Sequence, residues 1–406
     1  MRSFHQLRPL ILLALLAIAA LTVWAARTGF EAARPQLTGI RVNTPDDPGF
    51  DCAEPDDEDG QTCENDLFAQ AVHLFGFAPD STKTTATYKD AARLGQGQIS
   101  GVSADSAWKV SIGRFDATVA VMDTGIRWNN SGLRKRVRLN ERELPRPQNA
   151  VGVTLNNPSD NLFNGYDVNG DGAFNVEDYA SDPRVNKNAG PDGITGVIDG
   201  QDILKTFSDG IDDDNNGYID DIAGWDFFED DNDASDTTSY SAAGAHGTGR
   251  MTDAAEEGND GSGEIGVCPR CSVMPMRVWD TFVSPADSWA EATIYAADYR
   301  VDTGVVATVA ALGVLQNTTA AKEANSYAAR KGIALMQVSS DLNTANHNYP
   351  TNYNESTYIN GCVADTHGLS SEFFEAPNGL GNGGVPPQTW FRNSGLTQFG
   401  AKANVC

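Results

Sequence analysis

From residue 118 onward the chain alternates short apolar runs with amphipathic ones, and this rhythm restricts its fold more than any other feature. Thr118-Val119-Ala120-Val121-Met122 combines β-forming and apolar residues and is closed by Asp123-Thr124-Gly125, so it reads as a short buried strand. Residues 273–278 read as a second strand. A helix over 289–299 follows, placing Trp289, Ala292, Ala296 and Tyr299 on one face by spacings of three and four. Residues 305–311 form the next strand, Asn317 can cap a helix over 318–331, and Gly332 stops that helix. Residues 333–338 and 358–363 read as two further strands. Strands and helices in alternation predict an α/β fold, a parallel β-sheet with helices on both faces, with function expected where the strands end.

Two regions break this rhythm. Residues 35–101 begin rich in Asp, Gly and Pro and hold one helical stretch at 67–75, as expected of an N-terminal extension or pro-region. Beyond Arg134 the chain leaves regular structure for about a hundred residues of Asp, Asn and Gly, an acidic insertion over about 135–236. The expected organisation is a signal peptide at 1–26, the extension at 27–100 and the principal domain at 101–406.

The signal reading rests on Arg2 and Arg8, which flank an apolar run over 10–26 ending in small residues near Ala25 and Ala26. A run of about 17 apolar residues is at the lower edge of what spans a bilayer, so an uncleaved signal anchor is the alternative. Either way the body is expected to be secreted or extracytoplasmic. Export favours disulfides for Cys52, Cys63, Cys268, Cys271, Cys362 and Cys406, with Cys52–Cys63 the favoured pair. Cys268-Pro-Arg-Cys271 reads as a structural loop, with half a zinc site or a redox pair as alternatives. A net charge of -26 excludes nucleic acid and anionic membranes as partners and makes cations the expected ones. A monomer is expected.

The insertion carries a cation-binding pattern. In Asp167-Val168-Asn169-Gly170-Asp171-Gly172-Ala173-Phe174-Asn175-Val176-Glu177-Asp178, oxygen ligands fall at positions 1, 3, 5, 9 and 12 of an EF-hand-like loop. Gly172 stands at the turn position and Ala173 offers its carbonyl, so Asp167, Asn169, Asp171, Ala173 and Asp178 are candidate Ca2+ ligands. A second loop offers Asp212, Asp214, Asn216, Tyr218 and Asp220, but its twelfth place is Ala223. Ile198-Asp199-Gly200-Gln201-Asp202 matches only the second half of such a loop. Solvated Asp/Asn/Gly turns are the alternative for all three.

Val119-Ala120-Val121-Met122-Asp123-Thr124-Gly125-Ile126 and His246-Gly247-Thr248-Gly249 resemble the aspartate and histidine motifs of the subtilisin-like (S8) serine proteases, in that family's order. An Asp-Thr-Gly triplet also suits an aspartic protease, a class that needs two; Asp302-Thr303-Gly304 repeats the triplet but stands before its apolar run rather than at the end of one. The likeness continues through Gly263-Glu264-Ile265-Gly266-Val267-Cys268-Pro269, then Ala311-Leu312-Gly313, then Ala328-Ala329-Arg330-Lys331-Gly332, and ends at Asn393-Ser394-Gly395-Leu396-Thr397-Gln398-Phe399-Gly400.

The resemblance implies peptide-bond hydrolysis on a peptide or protein substrate. His246 is then the base, Asp123 orients it, and Ala311, Leu312 and Gly313 form a strand that an extended peptide joins. The sequence departs from the family at two places. Val338-Ser339-Ser340-Asp341 puts Asp341 where the family has an oxyanion-binding asparagine; an ionised carboxylate there repels the oxyanion, whereas a protonated one can donate. The serine expected after the Phe399-Gly400 segment does not precede Cys406, and Ser370 and Ser371 come too early. Truncation before the serine motif, leaving the domain incomplete, is the expected explanation. A calcium-binding pseudoprotease that holds peptides or proteins is the alternative.

Overall fold

The computed structural model describes residues 74, 102, 104–108, 110–187, 195–238, 244–260, 263–299, 304–314, 316–339, 348–359, 362–364 and 391–393. The chain divides into two compact units, Met1–Ile40 and Arg41–Cys406, and every described residue belongs to the second. The signal segment, most of the extension, Cys52, Cys63, Asp341, Ser370, Ser371 and the segment 394–400 lie outside the described residues.

A short helix α1 (Ala104–Ala107) precedes β1 (Thr118–Asp123), a central strand of a six-stranded parallel sheet. Its other strands are β2 (Trp225–Asp226), β3 (Ser272–Arg277), β5 (Val305–Ala310), β7 (Ala334–Val338) and β8 (Thr357–Ile359), in the order β2-β3-β1-β5-β7-β8. The helices are α2 (Gly200–Phe207), α3 (His246–Ala255), α4 (Ala286–Asp298) and α5 (Thr319–Arg330). Two small pairs complete the described strands: β4 (Val283–Ser284) with β6 (Gly313–Val314), and β9 (Cys362–Ala364) with β10 (Phe391–Asn393).

Alternation along β1 decides how the sheet is covered. Ala120 and Met122 point into a core shared with Trp289, Ala292 and Ala296 of α4 and Ala321, Ala324 and Ala328 of α5. Val121 points the other way, into a second core with Met251 of α3 and with Phe163, Phe174, Tyr179, Ile203 and Leu204. The central strand β1 thus buries both sets of side chains, as expected of a parallel sheet between two layers. The small residues of α4 and α5 suit a layer packed close against the sheet.

Three sequence expectations change. The acidic stretch is not a detour outside the fold: it supplies the edge strand β2 and much of the second core. Its own regular pieces are α2 and a 3-10 turn, Val176–Tyr179. Helix α5 is capped by Thr318, whose hydroxyl accepts the Ala321 N–H at 3.1 Å, rather than by Asn317. The strand expected over 358–363 is two strands, β8 in the main sheet and β9 in a separate pair. Cys268 and Cys271 are joined as a disulfide, in line with the expectation of disulfides in a structural loop.

Candidate active site

Asp123 is the last residue of β1 and His246 the first of α3, so the strand end and the helix start bring them together across 122 intervening positions. His246 Nδ1 lies 2.7 Å from Asp123 Oδ1. The same carboxylate oxygen accepts the Thr124 N–H at 2.8 Å, while Oδ2 is buried without a hydrogen-bond partner. Asp123 is fully enclosed and the His246 ring is about a quarter open, 24% of its side chain. An enclosed carboxylate behind a partly open imidazole fixes the ring and leaves one edge accessible.

Several local contacts set this geometry. Thr124 Oγ1 accepts the Gly247 N–H at 3.1 Å, tying the turn after β1 to the start of α3. Asp236 Oδ2 accepts the Ala245 N–H, just before His246, and the Thr124 hydroxyl at 3.4 Å. Thr248 Oγ1 accepts the Arg127 N–H at 2.8 Å. Gly125 has φ +98° and packs on the Ala234 carbonyl, which a Cβ would approach to 2.4 Å. A glycine is required there on both grounds.

The ring of Phe282 stands edge-on to the His246 ring, with centroids 4.9 Å apart. Its carbonyl accepts the Gly313 N–H at 2.8 Å, and Gly313–Val314 pairs with Val283–Ser284. The Val314 N–H is taken by the Tyr349 carbonyl. Of the three expected peptide-binding residues, Leu312 is buried in the core and Gly313 has its donor committed; Ala311 is partly exposed. Asp236 and Phe282 have no sequence signal of their own, because each acts through a fold-dependent contact.

Beside Asp123 in the sheet register stands Arg277, and beside Arg277 stands Asp226. Both side chains are enclosed, 2% and 0% exposed, and bonded at 2.5 Å; Glu229 adds a second carboxylate at 3.2 Å. Burial pushes the Asp226 carboxyl upward, opposed by Arg277 and by the N–H groups of Glu229 and Phe228.

In the first acidic loop, Asp167 accepts the N–H groups of Gly170 and Gly172, Asn169 that of Asp171, and Asp171 that of Ala173. Asp178 accepts from Val168 and Asn175 and completes a capping box with Asn175. Burial pushes Asp178 up to about 7 in spite of these donors, and raises Asp167 in the same sense. The donor set is hard oxygen and backbone N–H dipoles donate to Asp167 and Asp178, so the loop fits a calcium-class cation.

The second loop is built differently. Asp212 accepts from Asn216 and Gly217, and Asp214 and Asn216 follow in series, but the Asp220 carboxylate turns away to the N–H groups of Asp209 and Gly210. Asp199 and Asp202 form a capping box at the start of α2. No sequence spacing marks Glu143 and Asp221, which the fold brings to Asp214.

The subtilase family matches residues 115–377, more than half of the chain, and the chain belongs to that family. Three solved structures illustrate the likeness. The S41 psychrophilic protease is 16% identical, with 62% of this chain and 54% of that one covered and a TM-score of 0.34. Fervidolysin from Fervidobacterium pennivorans, a keratinolytic enzyme related to subtilisin, is 15% identical, with 87% and 35% covered and a TM-score of 0.37. The nisin leader peptidase NisP from Lactococcus lactis is 14% identical, with 74% and 64% covered and a TM-score of 0.37. The chain spans less than two thirds of the length of each. No curated protein matches.

Proposed function

We propose that the chain carries the aspartate and histidine of an exported, calcium-stabilised serine endopeptidase of the subtilisin type. The observation that carries this reading is the 2.7 Å contact between His246 Nδ1 and Asp123 Oδ1 in a member of the subtilase family. In this reading Asp123 accepts the Nδ1–H of His246 and holds the tautomer whose Nε2 is basic. His246 then takes the proton of a serine hydroxyl and later returns it to the leaving amine.

The substrate is a peptide or protein that lies along Ala311, on the side of the strand away from Phe282, since the Gly313 donor is already engaged. By its place in the motif order Asp341 takes the oxyanion role in this reading, as a donor only when protonated. Calcium, held by Asp167, Asn169, Asp171, the Ala173 carbonyl and Asp178, neutralises the carboxylates of the first loop when bound. Residues 1–26 direct export and 27–100 form the pro-region. Among the described residues no helix is long and apolar enough to cross a membrane.

The test is fluorophosphonate labelling of protein secreted from a reading frame carried past the codon for Cys406. Labelling of a serine, abolished by His246→Ala, is the expected result. Absence of labelling overturns the protease reading in favour of a calcium-binding pseudoprotease.

A further inference from the structure

Glu143 and Asp221 are 3% and 1% exposed, and one carboxylate oxygen of each lies within 4.8 Å of the other's and of one from Asp214. Glu143 reaches the cluster from 71 positions before Asp214 in the chain. Neutral amide and phenol groups donate to the cluster. Asn140 Nδ2 donates to Asp221 Oδ1 at 2.9 Å and to Asp214 Oδ2 at 3.1 Å. Asn216 Nδ2 and the Tyr295 hydroxyl donate to Asp221 Oδ2 at 3.0 and 2.8 Å, and the Tyr299 hydroxyl bonds to both aspartates.

A separate observation singles out Glu143. Its Oε1 accepts the Asp214 N–H at 2.9 Å, but its Oε2 is buried with no hydrogen-bond partner. An enclosed carboxylate oxygen without a donor is strongly unfavourable unless a cation or a proton meets it. Together with Asp214 and Asp221, whose amide and phenol donors are neutral, Glu143 completes a hard-oxygen set suited to a divalent cation of the calcium class.

We infer that the second cation site is built on Glu143, Asp214 and Asp221 rather than along one linear loop. The inference rests on the calcium reading of the acidic segment and replaces its second ligand set. Ala223 at the twelfth place is then no defect, because Glu143 closes the site from a distant part of the chain. Asp220, turned toward Asp209 and Gly210, is a turn-former instead. A bound cation would join the segment around Glu143, the acidic loop and, through Tyr295 and Tyr299, the end of α4.

Calcium titration of the chelated full chain by equilibrium dialysis tests this. Glu143→Gln is expected to lose one equivalent relative to wild type, and Asp167→Asn a different one. Full retention by Glu143→Gln, with loss in Asp167→Asn, overturns the inference and leaves the calcium reading standing. Retention by both variants overturns both. Terbium supplies a second measurement should Glu143→Gln not fold. In the Asp167→Asn protein, emission sensitised by the adjacent tyrosines and displaced by calcium is expected, and its absence overturns the site.

Discussion

Gly247 faces Gly125 so closely that a Cβ on Gly247 would lie 2.4 Å from the Gly125 carbonyl oxygen and 3.0 Å from its nitrogen. Both neighbours are backbone, so neither can rotate away. Gly247→Ala must therefore push α3 off the end of β1 and lengthen the contact between His246 and Asp123. Overpacking of this kind destabilises by about 1–3 kcal/mol, a fall of roughly 2–10 °C in Tm for a domain of this size. Thermal unfolding followed by circular dichroism measures it, with Gly249→Ala, whose Cβ meets nothing within 4 Å, as the control.

Removing the charge of Asp123 acts on chemistry more than on packing. In a serine-bearing form of the protein, Asp123→Asn keeps the side-chain shape but favours the wrong tautomer of His246. A fall of about 10⁴-fold in kcat is expected. Peptide hydrolysis assays check it, and a KM close to that of the parent would separate the tautomer effect from loss of the fold.

Arg277 and Asp226 are enclosed together, so removing one strands the other. Arg277→Gln is expected to destabilise by about 3–5 kcal/mol, because Asp226 keeps its place in the sheet without its cation. Replacing both, as Arg277→Met with Asp226→Leu, should recover much of that loss. Urea unfolding of the two variants gives the comparison.

Burial pushes Asp178 and Asp221 up to about 7 in the absence of a cation. Their unfolded values lie near 3.9. Between about pH 4 and 7 the unfolded chain has released protons that the folded chain retains, so the chelated protein loses stability as pH rises and levels off above about 7. Calcium requires the ionised carboxylates, so its stabilising effect should grow over the same window. Urea midpoints from pH 4.5 to 8, with chelator and with calcium, should diverge; parallel curves would count against cation binding at these groups.

The sheet was legible because the alternation between 118 and 338 is local, and each strand carries its own apolar run. Asp123 and His246 were legible because their flanks are contiguous. Phe282 was not, since its carbonyl and ring meet Gly313 and His246 only after β4 and β6 pair. Glu143 was hidden for a similar reason: a linear loop pattern can show a missing twelfth ligand but cannot supply one from 71 positions away. The edge strand β2 is two residues long, too short for any periodicity, and burial against β3 makes it a strand.

The acidic segment packs Phe163, Phe174 and Tyr179 into the same core as Val121 and Val273 of the sheet. Its acidic turns are therefore mechanically in series with the strand that ends at Asp123. Local melting of those turns would uncover apolar surface on the sheet. Cation removal should consequently shift one cooperative unfolding transition of the domain to lower temperature, with no separate early step for the loops.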